Sequence, residues 1–336
     1  MADRVTVVIP NWNGLKWLGP CLRSLRAQSF KQFHTVVVDN GSTDGSIQFL
    51  QAEFPEAEIV ALPANVGFAA GMNAGIRTAR GEYIAALNND TEAHAEWLAE
   101  MVAVMDKSPE FAVFACKILD FYRRDIYDSL GDCFSLSGLP FKLAAKCRDD
   151  GSIVEPFEVF GAGAAACFYR KTMLDEIGLY DEDFFAYMED VDLSIRARLA
   201  GYRCLAVPRS IVYHVGSASH GGAASAFSVR LTARNMVLVI IKNTPPTMLP
   251  RVVLASLLVQ SAVIAEALFT RRRLWLRKLI GAYFKGLAEV IPAIPAALRK
   301  RRQIALLRRI SAKQFSRDIA RAKAQRRAFN EKLPKN

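Results

Sequence analysis

Four short apolar runs lie between Val5 and Leu87, each followed by amides, acids or glycines and separated by stretches with helical spacing, and this alternation leaves few folds open. Val5-Thr6-Val7-Val8-Ile9 stops at Pro10, and His34 to Val38 closes on Asp39. Glu58 to Leu62 leads into Asn65, and Tyr83 to Leu87 runs into Asn88-Asn89-Asp90. Between them, Leu15, Leu18, Leu22 and Leu25 recur on one helix face. Ile47, Phe49 and Leu50 mark a second helix, with Ser42 or Thr43 as its cap, and a third spans about Ala69 to Ala79. Apolar strands alternating with helices make a mostly parallel α/β sheet covered on both faces. Ligands of such sheets bind outside the carboxyl ends of the strands, which is where the polar clusters fall.

The rest of the chain is less regular. Residues 118–160 mix turn formers with both polarities and read as hairpins and loops that shape a pocket. Gly161-Ala162-Gly163-Ala164-Ala165-Ala166 is a small-residue loop entering a strand that reaches Tyr169. Glu189 to Leu199 reads as a helix, Arg203 to Val207 as a strand, and Ile211 to Val215 as extended. The pattern changes after Ser225, which divides the chain into 1–224 (halves 1–105 and 106–224) and a helical region, 225–336.

Charge follows the same division. Of the 44 Lys and Arg residues, 20 lie from Arg271 onward against three acids, so a net +11 conceals a mildly acidic body and a strongly basic tail. Val252 to Phe269 carries one charge, Glu266, between Arg251 and Arg271-Arg272-Arg273. Leu274 to Leu298 is apolar but broken by Pro292 and Pro295. Ile304, Leu307, Phe315 and Ile319 can line one face of a basic helix. Three readings stay open for 252–328: helices packed on the body, an interfacial attachment to an anionic membrane surface, or a span. Nucleic acid is not expected, because the tail lacks interleaved aromatics. Six scattered cysteines without metal-ligand spacing read as free thiols of a reducing compartment, and Met1-Ala2-Asp3-Arg4 enters a strand with no signal peptide expected.

The polar clusters carry the chemistry. Asn88-Asn89-Asp90 offers hard oxygens suited to Mg2+ or Mn2+, and is equally ordinary turn composition. Asp39 suits a base N–H or a ribose hydroxyl, and glycines 67, 71 and 75 suit a helix N-terminus close to a diphosphate. A Gly-x-Gly-x-x-Gly after the first strand and a Walker Gly-Lys-Ser/Thr are both absent, which argues against a dinucleotide enzyme and an NTPase. Glu189-Asp190 by itself reads as favourable helix-start charge. Asp192 reads as a helix-start or salt-bridge residue. His214, alone in an apolar strand, reads by itself as a structural histidine. Trp12 suits stacking on a base or sugar and Trp17 suits the core, while His34, His94 and His220 carry no role.

Pro10-Asn11-Trp12-Asn13-Gly14, Val38 to Ser46, Asn65-Val66-Gly67-Phe68 through Gly75, Asn88-Asn89-Asp90 and Met188-Glu189-Asp190-Val191-Asp192 stand in the order seen in family 2 glycosyltransferases. Over about residues 3–220 the chain resembles their bacterial rhamnosyltransferase-like branch. The resemblance implies a GT-A fold, a nucleotide-diphosphate sugar donor, Mg2+ or Mn2+, and inversion at the anomeric carbon. It implies that Asp39 holds the nucleobase beside Pro10 and Asn11. It places Asn65, Gly67, Asn73, Asn88 and Asn89 on the donor and Gly163 beside its sugar. Asp90 and His214 would hold the metal, with Asn88 standing where the family's Asp-x-Asp has its first acid. Asp190 would be the base and Glu189 its support. The implied activity is addition of one sugar, rhamnose from dTDP-rhamnose first, to a lipid-linked or cell-surface glycan at the cytoplasmic face. Processive synthesis is not expected, because Gln325-Arg326-Arg327-Ala328-Phe329 lacks the Trp of Gln-x-x-Arg-Trp. The rival is a non-catalytic nucleotide-sugar-binding or scaffold protein at the membrane.

Overall fold

The computed structural model describes residues 3–216, 225–269 and 273–334, with side chains described except at 263, 264 and 273–278 and 266–269. Arg271, Arg272, His220 and the side chain of Glu266 fall outside it.

The first half runs β1 (Val5–Asn11), α1 (Leu15–Arg26), β2 (Phe33–Asp39), α2 (Ser46–Glu53), β3 (Glu58–Ala61), α3 (Phe68–Arg77), β4 (Tyr83–Leu87), β5 (Thr91–Ala93) and α4 (Trp97–Lys107). Next come β6 (Phe111–Asp120), β7 (Tyr127–Ser129), β8 (Asp132–Phe134), β9 (Pro140–Lys142), β10 (Phe157–Val159) and β11 (Ala166–Arg170). Then follow α5 (Lys171–Ile177), α6 (Glu189–Leu199) and β12 (Arg203–His214). Among the described residues the chain then runs α7 (Ala226–Asn243), α8 (Leu249–Phe269), α9 (Arg273–Ala288), α10 (Val290–Leu307) and α11 (Ala312–Lys332).

Ten strands form one sheet in the order β10-β12-β6-β11-β4-β1-β2-β3, with β5 on β12 and β7 on β6, while β8 and β9 pair separately. β1, β2, β3 and β4 pair in parallel, as do β6 and β12. β11 runs antiparallel to both β4 and β6, so all six parallel strands point one way. The carboxyl ends of β1, β2, β4, β6 and β12 therefore share an edge. Alternation along β1 explains the double burial. Val5, Val7 and Ile9 pack with α1 and α4, whereas Val8 joins Met72 and Ile76 of α3 and Leu193 of α6.

Several local expectations are corrected. β1 continues through Pro10 to Asn11 against β2, beyond Val8, where its pairing with β4 ends. Neither Ser42 nor Thr43 caps α2. Gly45 occupies that position, and the Asp44 carboxylate takes the Ser46 N–H at 3.1 Å and the Leu15 N–H at 2.9 Å instead. Gly75 is a packing residue rather than a phosphate contact, since a Cβ there would stand 2.4 Å from Val8 Cγ1 and 2.8 Å from Val38 Cγ2. Pro292 and Pro295 lie inside α10, and the break in the chain precedes them at Glu289. Trp17 is half-buried and meets Phe121 edge-on rather than entering the core.

The change of composition at Ser225 is not a gap in packing. Met236, Val239 and Ile240 of α7 share one core with Val191, Ile195 and Leu199 of α6, joined by Ile304, Phe315 and Ile319. Buried charges cross the same boundary. The Asp192 carboxylate accepts from Arg196 Nε, Lys242 Nζ and Asn243 Nδ2, each at 2.8 Å. Lys242 also pairs with Asp181, as does Lys300 of α10. Asp192 is thus the salt-bridge residue its position suggested.

Candidate active site

A cleft of about 270 Å³ opens at the edge where the parallel strands end. β1 delivers Pro10, Asn11 and Trp12, β4 delivers Asn88, Asn89 and Asp90, and β12 delivers His214. The loop before β11 adds Gly163, the start of α6 adds Glu189 and Asp190, and Asn65 and Gly67 line the wall ahead of α3. These residues come from six stretches of sequence, and the sheet's common strand direction brings the strand-end ones together.

Amide bonds fix the floor. Asn89 Nδ2 donates to Asn11 Oδ1 at 2.7 Å, and Asn11 Nδ2 donates to Asp39 Oδ1 at 3.1 Å, so the ends of β4, β1 and β2 are tied in series. Asp39 stands behind Asn11, fully buried, with its second oxygen on the Ser42 N–H at 3.0 Å. Asn73 lies outside the cleft. Its amide donates to the Tyr180 carbonyl at 2.8 Å and to Glu182 at 2.9 Å, and its oxygen takes the Tyr180 N–H at 3.0 Å, so it locks α3 to the segment before α6.

At the strand-end side, Asp90 is buried with Oδ1 3.4 Å from His214 Nε2. His214 Nδ1 lies 2.9 Å from Asp128 Oδ2. Burial pulls the imidazole down, but the bonds to Asp128 and Asp90 outweigh it and raise it to about 9. Because Asp128 holds Nδ1, Nε2 is the atom turned toward the cleft acid. Asn88 Oδ1 is buried with no hydrogen-bond partner in the structure, an orphan that a cation or a substrate N–H or O–H would satisfy. Among the described residues no three acids, histidines or cysteines converge as a preformed metal cluster. The donor set is nonetheless hard-oxygen with one imidazole, and it fits Mg2+ or Mn2+ when substrate oxygens complete the sphere.

At the start of α6, Asp190 accepts from the Ala164 N–H at 3.1 Å and the Val191 N–H at 2.8 Å, one bond to each oxygen. Burial outweighs those donors and raises its carboxyl above the usual range. Glu189 is pushed further by burial and by the charges of Asp190 and Asp192, and its Oε2 has no partner in the structure. The loop leading to the pair is strained: Phe185, Tyr187 and Met188 all have positive φ, at 64°, 68° and 73°. Such conformations cost on the order of 1–3 kcal/mol each in residues with a Cβ. Asn235 of α7, fully buried, holds the loop by donating to the carbonyls of Phe184, Ala186 and Tyr187 at 2.8–2.9 Å.

The sequence reading assigned nothing to Asn40, Asp128, Asp132, Lys142, Phe185, Tyr187 or Asn235. Asn40, Asp132, Lys142, Phe185 and Tyr187 line the cleft. Asn40 bridges to the Val66 N–H at 2.9 Å and to the Gly67 carbonyl at 3.0 Å, and its place after Asp39 was the available signal. Asp132 and Lys142 come from the β8–β9 hairpin, in a stretch whose short strands carry no clear period.

The profile of Glycosyl transferase family 2 matches residues 6–178, just over half of the chain. An uncharacterized protein of Sinorhizobium fredii is 28% identical over 239 residues, which are 65% of this chain but only 25% of that protein, so the chain spans about a quarter of its length. An N-acetylglucosaminyl-diphospho-decaprenol L-rhamnosyltransferase of Mycobacterium tuberculosis is 25% identical over 248 residues, 66% of this chain and 79% of that enzyme. A mannosyltransferase from Pyrobaculum calidifontis, solved with GDP-Man and Mn2+, superposes with a TM-score of 0.54 at 18% identity, covering 86% of this chain and 88% of that one. The sheet order, the strand-end cleft and these matches agree on a GT-A architecture with a helical C-terminal region. The chain belongs to glycosyl transferase family 2.

Proposed function

We propose that the chain is an inverting, metal-assisted glycosyltransferase. It moves one sugar from a nucleotide-diphosphate donor, dTDP-rhamnose first, to a lipid-linked or cell-surface glycan acceptor. The observation that carries the reading is that one cleft gathers Asp90 and His214 from the strand ends with Glu189 and Asp190 from the start of α6. Inverting transfer needs both sets, one for the departing diphosphate and one for the acceptor oxygen that attacks the sugar carbon from the other face. Asp190 takes the acceptor hydroxyl proton, and its raised affinity for protons suits a base. Glu189 and Gly163 border the same space and position acceptor and donor sugar. Mg2+ or Mn2+ held by Asp90, His214 and Asn88 would supply charge to the leaving diphosphate. The rhamnosyltransferase relative is named for a lipid-diphosphate acceptor and the mannosyltransferase neighbour holds GDP-Man and Mn2+, and both support this class of substrate.

A panel of dTDP-, UDP- and GDP-sugars with Mn2+ or Mg2+ tests the reading through thermal stabilisation and slow donor hydrolysis. One donor is expected to do both, and Asp90→Ala to weaken its metal-dependent binding by at least about tenfold. Absence of any response across the panel would remove the reading.

The same proposal places the protein at the inner face of the plasma membrane, attached through residues 252–328. Among the described residues no single helix is long and apolar enough to cross a membrane, although Leu279–Ala288 with Val290–Leu307 passes that test as a pair bent by 50°. Leu254, Leu257 and Leu258 of α8 are 60, 59 and 64% exposed and share a face with Val253. Ile291, Leu298 and Leu306 are exposed on α10 beside Arg299 and Arg302. Apolar faces beside cations suit the interface of an anionic bilayer. Replacing Leu254 and Leu258 by Glu is expected to cut co-flotation with anionic vesicles by about tenfold or more. Unchanged flotation would count against the attachment.

A further inference from the structure

Four acids line the cleft, Asp90, Asp132, Glu189 and Asp190, and against them stands one lysine, Lys142, with no arginine among the described lining residues. Lys142 ends β9. The hairpin that carries it is fastened to the loop beside the base, because Asp132 and Gly161 exchange two backbone hydrogen bonds of 2.9 Å. Lys142 Nζ donates to Asp128 Oδ1 at 2.7 Å, and the other oxygen of that carboxylate holds His214 Nδ1 at 2.9 Å. One carboxylate thus tethers the ammonium to the histidine of the strand-end side, while Asp132 of the same hairpin lies against Gly163, where a Cβ would meet its Oδ2 at 2.9 Å. The hairpin therefore reaches both His214, through Asp128, and the Gly163 loop, through Asp132.

Lys142 lines the cleft wall, and its ammonium has three N–H groups, of which Asp128 takes one. A diphosphate entering a cleft lined by acids needs cationic donors to meet it, and an ammonium on a tethered stem is suited to supply one.

We propose that Lys142 is a phosphate contact of the cleft, donating through Nζ to a diphosphate oxygen of a substrate. The inference rests on the glycosyltransferase reading, which supplies two sources of that group: the nucleotide donor and a lipid-linked acceptor.

The test is calorimetric titration of the full chain with inorganic pyrophosphate, comparing wild type, Lys142→Met and Lys142→Arg. The Met variant is expected to bind pyrophosphate about tenfold more weakly, and the Arg variant to stay within about twofold of wild type. Titrating UDP and dTDP into pyrophosphate-saturated protein then separates the sources. Exclusion of the nucleotide assigns the contact to the donor, and simultaneous binding assigns it to the acceptor. Equal pyrophosphate affinity in wild type and Lys142→Met overturns the inference, as does a Lys142→Arg variant as weak as Met. If nucleotide-sugars still bind wild type in either case, the glycosyltransferase reading stands. Wild-type protein that binds neither pyrophosphate nor nucleotide removes both.

Discussion

Asp190→Asn is expected to lower sugar transfer by about 10²–10⁴-fold while donor affinity stays within about twofold. Both Asp190 oxygens accept backbone N–H groups, from Ala164 and Val191. The substitution therefore turns an amide N–H₂ toward one backbone donor, and a second variant, Asp190→Ala, separates that local misfit from loss of the base. Both variants should lose turnover, and donor binding measured by calorimetry should survive in both. The wild-type rate should also fall on the acid side. The carboxyl is raised above the ordinary carboxylate range and must be ionised to accept a proton, so the acid limb lies at higher pH than for an exposed aspartate. Retained transfer in both variants would remove Asp190 from the reaction.

The largest loss of stability is expected from Asp192→Ala. The carboxylate is fully buried and receives three donors, two of them charged. Removing it leaves Lys242, itself buried, with Asp181 as its remaining acid, and leaves Arg196 with backbone carbonyls only. Breaking a buried charge cluster from one side costs about 3–5 kcal/mol, a large part of the 5–15 kcal/mol typical of a folded domain. Urea unfolding should show it as a lower midpoint with little change in slope. The linkage runs the same way. Burial would raise the Asp192 carboxyl, but Lys242 and Arg196 hold it at about 2, below its unfolded value. Its stabilisation is complete above roughly pH 4 and is lost as the pH falls toward 2, so the acid sensitivity of wild type should be reduced in Asp192→Ala. An unchanged midpoint would mean that the cluster contributes little.

Much of this was legible in the sequence for a physical reason. Strands buried on both faces read as continuous apolar runs, and parallel direction sends their ends to one edge. Pro10, Asn11, Asn88, Asn89 and Asp90 could therefore be grouped without coordinates, whereas His214 was legible only through the family resemblance. Glu189 and Asp190 were legible through the motif around them. Asn73 was misplaced because motif position does not reveal whether an amide faces a ligand or a neighbouring carbonyl. Asp128, Asp132 and Lys142 were missed because three-residue strands offer no period to read, and their meeting with His214 depends on hairpin geometry. The charges joining Asp192 to Lys242 are 50 residues apart in sequence, and nothing local marks either as a partner of the other.

The Asn235 amide gives the protein an unusual division between recognition and competence. A chain ending at residue 224 would keep every residue by which the family is recognised, yet lack the donor that gathers the Phe184, Ala186 and Tyr187 carbonyls. The left-handed backbone at 185, 187 and 188 would then relax toward ordinary angles, and the residues just beyond it would follow. Grafting a foreign tail onto this body raises the same difficulty unless the incoming helix brings an amide to that spot. The segment that holds the cleft loop in place is thus longer than the motifs and includes a helix that carries none of them.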